Sequence, residues 1–356
     1  MKKILVITST RPDVIKLFPV IRQLRRTKDV KIVHLHTGQH AELADDIFQD
    51  LDLKPDIDLQ IMQPEQTLNQ LMTNLMEALG PKIAELIPDL TIVQGDTTSA
   101  LAGALSSFYA AIPVAHVEAG LRSHDMQNPF PEEANRKMIS TLATWHFTPT
   151  LLATNNLLAE GYAKNTIVQT GNTIVDAVQA ISKDTKNDIP LPYLLITLHR
   201  REHIGAPLEQ ICEALKQISE KFPAYRIIIP MHPNPQVRQT IRSSLAGNKQ
   251  IQLIEPLQYP EFLSYLKNCH VVITDSGGVQ EEAMVLQKPL VVVRKTTERM
   301  EAIEAGYAKL VGVETDAIVK AISQILTDEK QYDLMIAQED LYGDGKAAEK
   351  IVNALF

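Results

Sequence analysis

The chain has 356 residues, with 35 lysines and arginines against 43 aspartates and glutamates, and therefore a formal net charge of −8 at pH 7. This length suffices for two domains of ordinary size, and a hydrophobic fraction of 45% is typical of a globular protein rather than of a disordered or fibrous one. The acidic balance argues against binding to nucleic acid or to an anionic membrane, because both require a basic face.

Targeting and redox features favour a cytoplasmic protein. The apolar stretch after Lys2 and Lys3 is too short for a secretory signal, and no apolar run approaches the ~18–20 residues of a transmembrane helix. The two cysteines, Cys212 and Cys269, are too few for a disulfide scaffold and form no CxxC motif. We therefore predict a cytoplasmic protein with two buried thiols.

The first half of the chain alternates short apolar runs with segments of helical periodicity. The runs are KILVIT, KIVHLHT, LTIVQGD and IPVAHVEAG. They are continuously apolar, without alternation of apolar and polar residues, which is typical of strands buried on both faces of a parallel sheet. Between them, segments 13–26, 66–86 and 97–110 carry apolar residues at three- and four-residue spacing and predict crossover helices.

A second series of the same kind follows. Its predicted strands are YLLITLH, YRIIIPMH, IQLIEP, HVVITDSG and PLVVVRK, with helical segments such as 208–221 and 278–286 between them. The sequence therefore predicts an α/β protein with two Rossmann-like domains, each a doubly wound parallel sheet. We place the domains at residues 1–168 and 169–343.

Polar residues that follow the strands are the candidate functional residues, because open α/β sheets bind ligands beyond the carboxyl ends of their strands. In the second domain, Ser276, Gly277 and Gly278 lie between a strand and a helix. Two glycines allow a close backbone approach, and the helix start presents amides to a phosphate. A basic cluster after the next strand suits a diphosphate, although such clusters are also common on surfaces. It consists of Arg294, Lys295 and Arg299.

The corresponding positions of the first domain are mainly acidic. Asp96, Glu118 and Glu132 follow predicted strands or begin a helix. Each alone is explained by a helix cap or a solvated loop, but three carboxylates at one edge can divide acid and base work between them. Arg11 and Lys16, at the start of the first helix, suit an anion.

The histidines of the second domain do not predict a metal site. His199 and His203 have the i, i+4 spacing of metal ligands, but they begin at a strand end and no third ligand is evident. His199 and His232 are instead candidates for contacts with a substrate. The chain also lacks GxGxxG, GxxxxGK[ST] and GxSxG motifs in the required contexts, which disfavours an NAD enzyme, a P-loop NTPase and a serine hydrolase.

A set of motifs, matched in order over nearly the whole chain, resembles the non-hydrolysing UDP-N-acetylglucosamine 2-epimerase family. The motifs are STRPDVIK, GQH, QGDTTSALAGALSSFYAAIPVAHVEAGLRS, PFPEEANR, TGNTIVDAV, LHRRE, HPNP, TDSGGVQEEA and TTERMEAIEAG. The resemblance implies two Rossmann-like domains in a GT-B-type arrangement with the active site in the cleft between them. It also implies that a C-terminal helix, residues 344–356, returns to the first domain, that the protein is a homodimer, and that no cofactor is needed.

The activity that this resemblance implies is reversible epimerisation at C-2 of UDP-GlcNAc to UDP-ManNAc, which supplies ManNAc for surface polysaccharide. UDP is eliminated to leave a 2-acetamidoglucal and then re-adds, and the C-2 proton is removed from one face and delivered to the other. The family's catalytic residues fall on Asp96, Glu118, Glu132 and His199. Its substrate contacts fall on Arg11, Lys16, Arg136, His232, Phe262, Ser276, Gly277, Gly278, Glu282 and Arg299.

Several positions depart from the family pattern. Asp13 replaces a glutamate, His203 replaces an asparagine, and Met300 interrupts the TERPE motif. Bacterial members often bind a second UDP-GlcNAc as an activator, and four residues match that region. These are Gln39, His40, Gln66 and Arg200, while Glu65 stands where some members have arginine.

Three other functions share this scaffold. An epimerase of a modified UDP-2-acetamido sugar would carry the same motifs. A GT-B glycosyltransferase would use the same nucleotide-binding half but needs an acceptor groove, and a non-catalytic sugar-nucleotide sensor would tolerate loss of the three carboxylates. The retained carboxylates and the HVEAGLRS motif favour the epimerase.

Overall fold

The computed structural model describes residues 1–38, 41–63, 66–182, 192–200, 203–297, 299–336 and 340–356, with the backbone alone for residues 41–45. The chain divides into two compact units. The first comprises Met1–Ile181 and Tyr342–Phe356, and the second comprises Ser182–Leu341. No helix of the described ranges is long and apolar enough to cross a membrane.

In the described part of the first unit, seven parallel strands form one sheet in the order β3-β2-β1-β4-β5-β6-β7. The strands are β1 (Lys2–Thr8), β2 (Val30–His36), β3 (Ile57–Asp58), β4 (Leu90–Gln94), β5 (Val114–Val117), β6 (Trp145–Thr148) and β7 (Ile167–Gln169). The helices between them are α1 (Arg11–Arg26), α2 (Ala41–Asp50), α3 (Leu68–Leu86), α4 (Thr98–Tyr109), α5 (Glu132–Leu142), α6 (Leu151–Ala159) and α7 (Thr173–Ile181).

The second unit repeats this topology. Six parallel strands among its described residues have the order β10-β9-β8-β11-β12-β13. The strands are β8 (Tyr193–Thr197), β9 (Arg226–Pro230), β10 (Ile251–Ile254), β11 (Val271–Thr274), β12 (Leu290–Val292) and β13 (Ala308–Leu310). The helices are α8 (Ala206–Lys221), α9 (Pro235–Leu245), α10 (Tyr259–Asn268), α11 (Gly277–Val285), α12 (Met300–Glu304), α13 (Thr315–Thr327) and α14 (Glu329–Met335). The predicted fold class, two doubly wound parallel sheets, is confirmed.

Each unit has its own apolar core between sheet and helices. In the first, Leu75, Leu79 and Ile83 of α3 share a buried cluster with Leu5 and Val93 of the sheet. Their three- and four-residue spacing places them on one helix face. The central strand β4 is buried along its whole length, as expected for a strand covered by helices on both faces.

The chain returns to the first unit at its C-terminal end. The last helix, α15 (Ala347–Leu355), packs against α1 and α7. The amide of Asn172 donates to the carbonyl oxygen of Tyr342 at 2.7 Å, and Gly171 lies so close that a Cβ atom there would be 3.0 Å from the same oxygen. The first unit therefore extends to Ile181, beyond residue 168, because α7 and α15 pack as a pair on α1.

Asp176 of α7 caps the start of α15. Its carboxylate accepts hydrogen bonds from the amides of Ala347 and Ala348 at 3.2 and 3.0 Å. Burial raises the pKa of Asp176, and the two amides partly oppose this effect. Because the first amides of a helix have no partner within it, this side chain replaces a missing hydrogen-bond acceptor.

We predict that Asp176→Ala lowers the free energy of unfolding of the first unit by about 1 kcal/mol, the usual cost of losing a helix cap. Trp145, the single tryptophan of the sequence, lies in β6 and reports on this unit in urea titrations. Glu85→Ala is the matched control, because Glu85 of α3 pairs with Lys82 at the surface, where ion pairs contribute little. Equal midpoints for Asp176→Ala and wild type would show that the cap does not stabilise the unit.

Candidate functional site

The strand order of the first unit reverses between β1 and β4, where doubly wound folds bind their ligands. The loops after these two strands are joined by a contact of 3.2 Å between the hydroxyl oxygens of Ser9 and Thr97. Thr97 caps α4, since its hydroxyl accepts from the amide of Ala100 at 3.1 Å. Asp96 immediately precedes this cap, so the start of α4 fixes its place in the chain.

Asp96 is held by two residues of α5. Arg136 donates from Nη1 to Oδ2 of Asp96, and Asn135 donates from its side-chain amide to the carbonyl oxygen of Asp96 at 2.8 Å. Arg136 is buried, whereas the side chain of Asp96 is 27% exposed. The structure thus places a carboxylate at the edge of solvent with a buried cation behind it.

Glu133 anchors that cation. Its buried carboxylate accepts from Nε of Arg136 at 3.0 Å and from the amides of Ser123 and His124 at 3.0 and 3.2 Å. Burial raises the pKa of Glu133, but these donors outweigh burial and the net pKa is lowered. The sequence analysis did not assign this role to Glu133. The available signal was the three-residue spacing of Glu133 and Arg136, which places them on one helix face.

A second buried ion pair joins Lys16 of α1 to Glu118, which follows β5. Nζ of Lys16 donates to Oε2 of Glu118, and both side chains are buried. Glu118 has a φ of +66°, a left-handed conformation that residues other than glycine rarely adopt. Strained backbone of this kind persists where the surroundings enforce it and is concentrated at functional sites.

His116 supports the loop that carries Asp96 and does not act as a reacting group itself. It is fully buried in β5, and its Nε2 donates to the carbonyl oxygen of Gly95 at 2.8 Å. Burial lowers the pKa of His116 to about 3, and the hydrogen bond to Gly95 only partly opposes this. A neutral histidine therefore fixes the residue directly before Asp96.

The other predicted residues of this unit begin helices. Glu132 is the first residue of α5 and is half-buried, and Arg11 is the first residue of α1 and is partly exposed. Asp13 turns back to the start of α1, where its carboxylate accepts from the amide and hydroxyl of Ser9 at 3.0 and 2.6 Å and from the amide of Thr10 at 2.7 Å. Burial raises the pKa of Asp13 to about 6 despite these donors.

In the second unit the strand order reverses between β8 and β11, and Asp275 lies at this point. Its fully buried carboxylate is 2.9 Å from Nδ1 of His199 and 3.1 Å from Nδ1 of His203, and it accepts from the amide of Arg200 at 3.1 Å. Burial raises the pKa of Asp275, but the histidine hydrogen bonds outweigh burial and hold it far below its usual range. The sequence analysis had not singled out Asp275.

The two candidate histidines of this unit lie side by side. The ring of His232, which follows β9, has its centroid 5.7 Å from that of His199. Burial lowers the pKa of His232, and the neighbouring His199 lowers it further. Among the described residues, no group of three or more His, Cys, Asp or Glu side chains could hold a metal ion.

The start of α11 combines a capped helix with a basic side chain. Ser276 is the cap, and its hydroxyl accepts from the amide of Val279 at 3.5 Å. The guanidinium of Arg299 lies against Gly277, where an added Cβ would be 2.8 Å from Nη1, while Gly278 borders open space. Glu281 accepts from Nε of Arg299 at 3.0 Å and fixes this position.

The remaining predicted residues of this unit have different surroundings. Glu282 is buried and accepts from the hydroxyl of Tyr259 at 2.8 Å. Phe262 lies on the same helix as Tyr259 and is half-buried. Of the predicted basic cluster, Arg294 is buried and Lys295 is exposed, so the two lie in unlike environments.

Of the predicted activator residues, only Gln66 and Arg200 lie within the described ranges. Gln39, His40 and Glu65 lie outside the described residues. Gln66 accepts from the amide of Gln63 at 2.7 Å, and Nε of Arg200 donates to the carbonyl oxygen of Asp275 at 3.0 Å.

Comparisons with known proteins agree over nearly the whole chain. The family model described as UDP-N-acetylglucosamine 2-epimerase matches residues 22–356. A protein named UDP-N-acetylglucosamine 2-epimerase from Campylobacter jejuni is 41% identical to this chain, over 100% of this chain and 97% of its own length. Another of the same name from Escherichia coli K12 is 40% identical, over 99% of this chain and 98% of its own length.

Solved structures are similar to the same extent. The S. aureus MnaA–UDP co-structure has a TM-score of 0.95 at 39% identity, covering 100% of this chain and 96% of that one. The UDP-GlcNAc 2-epimerase from Neisseria meningitidis, bound to UDP-GlcNAc, has a TM-score of 0.92 at 38% identity, covering 99% of both chains.

The raised pKa of Asp13 predicts a pH-dependent stability. The pKa in the folded state, about 6, is above 3.8, so the folded state binds this proton more tightly than the unfolded chain. The resulting stabilisation is complete below about pH 4 and is lost as the pH rises through about 6. The free energy of unfolding of wild type, relative to Asp13→Asn, should therefore fall by about 2–3 kcal/mol between about pH 4 and pH 7.5 in urea titrations. A difference that does not change with pH would contradict this assignment.

Proposed function

The chain belongs to the UDP-N-acetylglucosamine 2-epimerase family, and from this premise we propose that it interconverts UDP-GlcNAc and UDP-ManNAc by epimerisation at C-2. The observation that carries the proposal is the pair of cation-held carboxylates of the first unit, Asp96 with Arg136 and Glu118 with Lys16. Similar solved structures contain UDP-GlcNAc or UDP, which supports a UDP-sugar as the substrate.

The proposed reaction needs only acid and base groups. The C-2 proton is taken by a base while the bond between C-1 and the UDP oxygen breaks, which leaves a 2-acetamidoglucal and UDP. UDP then re-adds at C-1, and an acid delivers a proton to the opposite face of C-2. Each positioned acid or base of this kind contributes roughly 10²–10⁴-fold to the rate.

Asp96, Glu118 and Glu132 are the carboxylates proposed for these proton transfers. The cation beside each of the first two holds the carboxylate in place. Their environments differ, because Glu118 is buried and Asp96 is partly exposed. Carboxylates in unlike surroundings can divide acid and base work between them.

The second unit is proposed to hold the nucleotide. Arg299 over Gly277, together with the amides at the start of α11, suits a diphosphate. His199 has Nδ1 engaged by Asp275, and its Nε2 is the nitrogen proposed to face the substrate. The buried carboxylate of Glu282 is proposed to accept from ribose hydroxyls, and Phe262 to lie near the uracil.

The remaining expectations from the resemblance are also proposals. The enzyme is proposed to act without a cofactor, in the cytoplasm and as a homodimer, and to supply ManNAc for surface polysaccharide. A second UDP-GlcNAc is the proposed activator.

The proposed function is tested by incubating the purified protein with UDP-GlcNAc alone in deuterated water. NMR and mass spectrometry should detect UDP-ManNAc and deuterium at C-2 without any added cofactor. Free ManNAc together with UDP would indicate a hydrolysing enzyme instead. Absence of both exchange and product would refute the epimerase proposal.

Removal of either held carboxylate should block proton transfer. Asp96→Asn and Glu118→Gln should each lower turnover by roughly 10²–10⁴-fold, because one acid or base is lost. UDP affinity, measured by calorimetry, should change little. Glu85→Gln is the matched control, since Glu85 pairs with Lys82 at the surface and should leave turnover unchanged. Wild-type turnover in both site variants would refute their assignment.

Substitution of Gly277 tests the diphosphate contact. In Gly277→Ala the new Cβ displaces the guanidinium of Arg299, and loss of a charged hydrogen bond should weaken UDP binding by roughly 10–100-fold. Gly80→Ala is the control, because a Cβ at this helical glycine meets no atom within 4 Å. Unchanged UDP affinity in Gly277→Ala would show that Arg299 in this position does not contact the diphosphate.

A further inference from the structure

We infer that Asp275 is a positioning residue that fixes the proton of His199 on Nδ1, and that His203 satisfies the second oxygen of the same carboxylate. The inference rests on the proposed function, in which His199 contacts the substrate. It adds two residues, Asp275 and His203, that position His199, and neither of them contacts the substrate.

The carboxylate of Asp275 is surrounded by donors. Oδ1 is 2.9 Å from Nδ1 of His199, and Oδ2 is 3.1 Å from Nδ1 of His203. The amides of His199 and Arg200 also donate to it, each at 3.1 Å. Because an ionised carboxylate without exposure is costly unless it is fully hydrogen-bonded, this donor set explains how Asp275 remains charged in the core.

The donor set also determines the tautomers of the two histidines. An ionised carboxylate only accepts hydrogen bonds, so the ring nitrogen that faces it must carry the hydrogen. In a neutral imidazole with its hydrogen on Nδ1, Nε2 carries the lone pair. His199 is 38% exposed, so this Nε2 is the nitrogen presented for accepting or returning a proton. A carboxylate that orients an imidazole in this way is a recurring device of acid–base catalysis.

His203 has a different place in this arrangement. It is buried, and its Nδ1 is its contact with Oδ2 of Asp275. An asparagine amide could donate the same hydrogen bond, because its side chain carries two N–H donors. His203→Asn should therefore preserve the arrangement, whereas the similarly sized but apolar His203→Leu should leave Oδ2 with one donor fewer.

A purely structural role for Asp275 is the alternative. In that case the carboxylate would only fix the backbone of residues 199 and 200, and its loss would affect folding without acting on the imidazole of His199. The two roles differ in one spectroscopic property, the tautomer of His199, and in one kinetic property, the separation of kcat from KM.

The tautomer is measured on the wild-type protein labelled with ¹⁵N-histidine. Long-range proton–nitrogen correlations distinguish hydrogen on Nδ1 from hydrogen on Nε2, and His199→Gln and His203→Asn assign the two residues among the ten histidines. We expect hydrogen on Nδ1 in both. Hydrogen on Nε2 of His199, or a mixture of tautomers, would overturn the inference. This measurement involves no turnover, so its failure is distinct from failure of the proposed function, which appears as absence of UDP-ManNAc from the wild type.

Kinetics of three variants complete the test. Asp275→Asn replaces one acceptor by an amide donor and should lower kcat by roughly 10²–10⁴-fold, with the KM for UDP-GlcNAc within about threefold of wild type. His203→Leu should lower kcat by about tenfold or more, and His203→Asn should stay within about threefold. A folded, UDP-binding Asp275→Asn with near-normal kcat would overturn the inference. Should Asp275→Asn not fold, equal kcat values for His203→Leu and His203→Asn would overturn it.

Discussion

Two ion pairs with buried cations, Lys16 with Glu118 and Arg136 with Asp96, determine how the first unit presents its carboxylates. Taking charges out of water costs free energy, and the attraction within a buried pair seldom offsets this desolvation. The surrounding structure nevertheless supports both pairs. Glu133 anchors Arg136, and the backbone at Glu118 adopts a left-handed conformation. We interpret these unfavourable ion pairs and the strained backbone as a requirement of acid–base chemistry, which needs carboxylates in fixed positions.

The second unit uses the same topology for a different purpose. At its reversal point the carboxylate, Asp275, is fully buried and organises histidines, while Ser276 and Arg299 offer a helix start and a cation to an anion. Under the proposed function, one fold therefore provides proton-transfer groups in the first unit and anion-binding groups in the second. The net charge of −8 does not show this division, because it sums the charges of the whole chain and hides the difference between the two sets of strand ends.

The sequence predicted the elements whose signal is local and strong. Apolar runs located β1, β4 and β11, since strands buried on both faces are mostly apolar. It missed β6 and β7, because WHFT contains polar residues and IVQ is only three residues long. Strand ends were treated as the place for polar candidates, a rule that follows from topology rather than from propensity.

The contacts between those candidate residues could not be predicted from the sequence. Lys16 and Glu118 are 102 positions apart, and their pairing depends on how α1 and β5 lie against β1 and β4. The roles of Glu133 and Asp275 were missed for a related reason, since a carboxylate that anchors another side chain has the same local sequence as a helix cap or a loop residue. Only the folded structure shows which donors surround it.

The central claim, that buried charge pairing holds the carboxylates in place, is tested most directly by a double-mutant cycle on Lys16 and Glu118. The quantity is the free energy of unfolding of wild type, Lys16→Met, Glu118→Gln and the double variant, followed through Trp145. We predict that each single change costs about 3–5 kcal/mol, because it leaves the partner charge buried, and that the double variant is at least as stable as either single one. Additive losses, with the double variant less stable by the sum of the two, would contradict the account.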